Sequence, residues 1–76
     1  LLFTEGRRNT DATVLCGFAL FKKKSVEECK AAVDNICHDV WDDELEAEID
    51  RVFTYAWENG YGNWWENPLA KEKYTF

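Results

Sequence analysis

The chain has 76 residues, a formal charge of −6 and a hydrophobic fraction of 46%, a size and balance that fit one small globular domain and leave no room for a second. Four tryptophans and five phenylalanines supply the apolar area a core this small needs, at roughly 25 cal/mol per Å² buried. No apolar run approaches the roughly 20 residues that span a bilayer, and the longest, 14–21, ends in Lys22-Lys23-Lys24.

Residues 1–9 read as an extended lead-in closing in a polar turn, Glu5-Gly6-Arg7-Arg8-Asn9, where Gly6 permits a sharp bend. Asn9 or Thr10 is the expected N-cap of a first helix from about Asp11 to Lys23. Val14, Leu15, Phe18 and Phe21 recur at helical spacing and mark its apolar face. Gly17 costs such a helix about 1 kcal/mol against alanine, and a close approach of two helices is the expected reason for it. The three lysines at the end suit the negative pole of the helix dipole.

Ser25-Val26-Glu27-Glu28 reads as a capping box. The second helix it opens carries Val26, Cys29, Val33, Ile36, Cys37 and Val40 on one stripe, a 3.6-residue period over about four turns. Asp42 or Asp43 is expected to cap a third helix, with Glu44, Glu46 and Glu48 near its positive pole. Leu45, Ile49, Val52, Phe53, Ala56 and Trp57 form its apolar stripe, and Asn59-Gly60 stops it. The fold class is therefore all-α: a three-helix bundle over residues 1–60, with an aromatic tail or linker over 61–76. A short fourth helical turn through Ala70–Lys73 is possible in that tail.

Little in the sequence points to chemistry of the chain's own. Cys16, Cys29 and Cys37 are an odd number and fall within apolar helical patterns, which reads as buried reduced thiols in a reducing compartment. Cys29, Cys37 and His38 lack the spacing of a zinc site. His38, the single histidine, does not face Cys37 across a helix, so no Cys–His pair is expected. Seven acids fall between Asp39 and Asp50, at a helix start and on its solvent face rather than in a pocket. No metal and no catalytic residue is expected. The beginning at Leu1-Leu2-Phe3 reads as mid-chain sequence, so a piece of a larger cytoplasmic protein is expected, with no signal peptide in view.

Charge is unevenly spread. Residues 1–24 hold five bases and two acids, and residues 25–76 hold four bases and thirteen acids. A basic head on an acidic body can orient a domain on a polyanion. Arg7, Arg8 and Asn9 precede a helix start, where free N–H groups favour an anion and arginines add bidentate phosphate donors. Lys22, Lys23, Lys24 and Lys30 would extend this into a phosphate patch if they curl onto the same side.

The order of these features resembles that of a known family. A Glu5-Gly6-Arg7-Arg8-Asn9-Thr10 turn opens a helix with the small-residue centre Leu15-Cys16-Gly17-Phe18. A basic turn and the Ser25-Val26-Glu27-Glu28 start follow. Then come Asn35-Ile36-Cys37, the acidic start Asp42-Asp43-Glu44-Leu45, and a helix through Ile49, Val52 and Phe53. Over residues 4–57 this resembles the primase C-terminal domain, a small helical module that follows the catalytic core of phage and plasmid primase-polymerases. The proline common before the third helix in that family is absent, and Val40-Trp41 stands there.

The resemblance implies a noncatalytic accessory domain that helps hold single-stranded DNA template and the initiating nucleotide beside the catalytic primase-polymerase domain. The parent enzyme would use a divalent metal and nucleoside triphosphates, and this piece would hold no cofactor. Arg7, Arg8 and Asn9 match the family's opening turn, while Lys22, Lys23 and Lys24 are added on charge alone. The alternative is a protein–protein interaction module of a replication protein, with Trp64 and Trp65 as anchors. A further alternative is an acidic DNA mimic built on 39–50.

Overall fold

In the computed structural model, Phe3, Thr4 and residues 6–61 are described. They form α1 (Arg8–Phe21), α2 (Val26–Ile36), a 3₁₀ turn at His38–Val40 and α3 (Asp43–Glu58), an all-α fold without strands among the described residues. The principal helix pairing is α1 against α3, with α2 laid on both. The tail expected over 61–76 lies outside the described residues beyond Tyr61, as do Trp64 and Trp65.

Helix α1 begins three residues earlier than Asp11, and neither Asn9 nor Thr10 caps it. Arg7 occupies the N-cap position without a side-chain cap. The lead-in is secured instead by Asp11, which is buried and accepts a hydrogen bond from the Phe3 N–H at 2.9 Å. Arg7 N–H closes the turn onto Thr4 O at 2.9 Å, and Gly6 supplies a φ of 86°. Phe3 itself sits at φ 59°, a conformation costing an L-residue about 1–2 kcal/mol. Its ring is fully buried, and burial of that size, roughly 1.5–3 kcal/mol, offsets the strain. Phe3 is thus part of the core.

At the other end, Lys23 N–H bonds Leu20 O at 3.0 Å and Lys24 N–H bonds Ala19 O at 2.8 Å. This is a Schellman closure with Lys23 in its left-handed position, at φ 60°. Glycine is the usual occupant there, since a side chain adds strain. Gly17 has no tight helix neighbour: a Cβ on it would meet Tyr61 Cβ at 3.9 Å, an ordinary contact. The expected close helix approach is therefore not the reason for this glycine.

Ser25 caps α2 as expected, accepting from Glu28 N–H at 3.2 Å, while its hydroxyl donates to Glu28 Oε1 at 3.4 Å. The helix stops at Ile36, a turn short of the predicted stripe, because Cys37 leaves helical geometry at φ −129°, ψ 47°. Cys29 and Val33 are buried, whereas Ile36 is exposed and Cys37 half-buried. Asp42 caps α3 by accepting from Leu45 N–H at 2.7 Å. Leu45, Ile49, Val52 and Ala56 face the core. Phe53 packs at its edge, and Trp57 stands 70% exposed. Asn59 and Gly60, at φ 69°, end the helix as predicted.

Candidate nucleic-acid interface

The expected opening turn is occupied from within. Arg8 lies beside the start of α3, where its Nη2 meets Asp42 Oδ2 at 3.0 Å and its Nη1 meets Asp42 Oδ1 at 3.4 Å. Its Nε–H also donates to Phe3 O at 3.3 Å, and Glu44 lies 3.9 Å from Nη1. The Leu45 N–H first, and Arg8 second, hold the Asp42 carboxyl below its ordinary value. Asn9 donates from Nδ2 to Glu48 Oε1 at 2.8 Å. Glu48 is lowered by Asn9 and then by Arg51, with which it also pairs. Arg7 touches Asp11 at 3.5 Å, and its side chain is 62% exposed. Arg7 and Asn9 are exposed, and Arg8 is half-buried.

Lys22, Lys23 and Lys24 sit at the far end of α1. Its 14 residues put them about 20 Å from the arginine turn at about 1.5 Å rise each. The two basic clusters therefore do not merge. Lys30 does not join them either: its Nζ contacts Asp50 at 2.9 Å and Glu46 at 3.8 Å, and the bond to Asp50 first raises its pKa. Lys22 Nζ stands 5.8 Å from the centre of the Phe18 ring, and Lys24 lies 3.8 Å from Glu28. Lys23 is exposed.

Beside this corner is an open cleft of about 600 Å³, lined by Leu20, Lys23, Lys24, Ser25 and Trp57 together with the end of α3. None of the described residues that line it is acidic. Two other surface clefts contain Glu48 or Glu44 among their walls. The cleft joins ammonium groups to an exposed indole, a pairing that suits a phosphate and a base. Sequence reasoning placed Trp57 on the core stripe and missed its exposure beside the lysines. Its position next to Ala56 at the end of the last helix, one step round from the buried line, was the available signal.

The thiols and the histidine are placed apart from any such surface. Cys16 and Cys29 are fully buried. The contact with Cys29, then burial, pushes the Cys16 thiol far up, and burial raises Cys37. Raised thiols are poor nucleophiles. His38 faces Asp34 at 2.9 Å, which raises its pKa. No group of three potential metal ligands occurs among the described residues, and no helix among them is long and apolar enough to cross a membrane.

No family model, no curated protein and no solved structure matches the chain.

Proposed function

We propose that this chain is a noncatalytic accessory domain of a DNA primase-polymerase that helps hold single-stranded template and the initiating nucleotide. The order of turn, helix starts and acidic cap supports this reading through its resemblance to the primase C-terminal domain. The observation that carries it is the lysine corner. Three consecutive lysines sit beside a cleft whose described walls hold no acid, on a chain whose net charge is −6.

The test is a fluorescence-anisotropy titration with labelled single-stranded DNA at two salt concentrations. Each phosphate contact on a single strand contributes a slope of about −0.7 to log K against log salt. Replacing Lys22, Lys23 and Lys24 by alanine is expected to flatten that slope by about 2. Arg8→Ala is expected to weaken the fold while the folded fraction binds as before. No binding at low salt, together with normal priming by a parent protein carrying the triple substitution, would overturn the proposal.

A protein-interaction module is the second reading, favoured by the exposure of Trp57 at 70% and Tyr55 at 56% on α3. It predicts that Trp57→Ala abolishes assembly with the neighbouring protein and leaves the salt slope unchanged.

A further inference from the structure

We infer that the cleft between the α1–α2 corner and the end of α3 is a site for one nucleotide unit of a single strand, its phosphate on Lys23 and Lys24 and its base against Trp57. This deepens the proposed function and rests on it. Four observations converge on the cleft.

First, Lys23 holds a left-handed backbone position, φ 60°, where glycine would relieve strain. A side chain kept at such a position is a reason to ask what it does. Second, Lys23 and Lys24 both line a cleft with no acidic residue among its described walls, so two cationic side chains border the space an anion would enter. Glu28, the partner of Lys24, is 3.8 Å from the ammonium and is not part of the lining. Third, Ser25 begins α2 in the same wall. Of the first N–H groups of that helix, that of Glu28 is taken by the Ser25 hydroxyl, and the others add positive potential that Glu27 and Glu28 in the same turn partly offset. Fourth, Trp57 exposes 70% of its surface at the rim, and Leu20 adds an apolar patch. Base stacking on an aromatic ring tolerates any base, which suits a template holder. A simple anion site needs no indole, and a simple apolar site needs no paired lysines.

The experiment is a two-dimensional NMR titration of the full chain with octathymidylate, and separately with inorganic phosphate. The Trp57 indole N–H signal is identified by its disappearance in Trp57→Phe. With octathymidylate, that indole signal and the amides of Lys23, Lys24 and Ser25 are expected to shift together. Trp57→Ala is expected to weaken binding roughly 5- to 150-fold, and Trp57→Phe to retain most of it. Both Trp57 and Lys23 are exposed, so their replacement leaves the core intact. If octathymidylate binds but the cleft signals stay still, the site is elsewhere and this inference fails while the proposed function stands. If octathymidylate does not bind at low salt, this inference fails, and the proposed function fails with it where the parent protein carrying the triple lysine substitution also primes normally. If inorganic phosphate moves the amides and octathymidylate leaves Trp57 unmoved, the nucleotide site is overturned.

Discussion

The two ends of α1 both carry consecutive cations, and they are used in opposite ways. At the first end Arg8 lies between the Phe3 carbonyl and the Asp42 carboxylate, and Asn9 reaches Glu48. At the other end Lys23 projects from a strained turn into an open cleft beside Trp57. Charge does not distinguish them; the neighbouring helix end does. The start of α1 lies beside the start of α3, which bears Asp42, Asp43, Glu44 and Glu46 to suit its own dipole. Asp42 serves twice, accepting from Leu45 N–H as the helix cap and pairing with Arg8, while Glu44 lies 3.9 Å from the same guanidinium. The end of α1 meets the end of α3, whose cleft residues Ala56, Trp57 and Gly60 carry no charge. The basic run beside the acidic helix start is held by an ion pair, and the one at the far end stands beside an open cleft whose described walls hold no acid.

The strongest way to break this contrast is at Asp11. Its carboxylate is 5% exposed and holds the N–H of the buried Phe3. Asp11→Ala leaves that N–H without its partner and releases the lead-in. Charge-assisted hydrogen bonds of this kind are worth about 1.5–3 kcal/mol, so a loss of about 2 kcal/mol is expected in urea unfolding. Alanine at any of Lys22–Lys24 is expected to change stability by less than about 0.5 kcal/mol. Equal losses at both ends would mean that the lysines are structural too.

A smaller effect of opposite sign separates the ends further. Lys23→Gly removes the cost of a side chain at φ 60° and is expected to stabilise the fold by about 1 kcal/mol. The same change removes one cleft ammonium and is expected to weaken single-strand binding. Stability and binding moving in opposite directions would mark strain kept for function. A gain in stability with unchanged binding would leave Lys23 a mere turn residue.

What was legible in the sequence follows from range. The capping box at Ser25, the Asp42 cap and the buried line Leu45–Ile49–Val52–Ala56 are local patterns, and each fell where the spacing put it. The start of α1 was misjudged because Asn9 looks like a cap in isolation, while its amide is taken by Glu48, 39 residues away. The stripe of α2 overran because Cys37 breaks the helix, which a hydrophobic period does not register. The candidate site was half legible: Lys22–Lys24 were visible as cations, but their separation from Arg7–Asn9 needed the length of α1. Trp57 needed the three-dimensional edge of the bundle, since a stripe does not say where its cover ends.

The finest test of the contrast is acid. Asp42 and Glu48 both sit below their ordinary values of 3.8 and 4.5. A carboxylate lowered in the fold contributes stability fully above its unfolded value and loses it as pH falls through the lowered folded value. The arginine end is therefore expected to slacken as pH drops below about 4. An NMR pH titration should show the Leu45 amide following Asp42 protonation. The Leu45 N–H is the larger cause of the Asp42 shift and Arg8 the second. Arg8→Ala should accordingly raise the Asp42 midpoint only part of the way to 3.8. A full return would show that Arg8, not the cap, holds the carboxylate. No movement at all would mean that Arg8 does not act on the Asp42 carboxylate, and the two ends of α1 would no longer differ in kind.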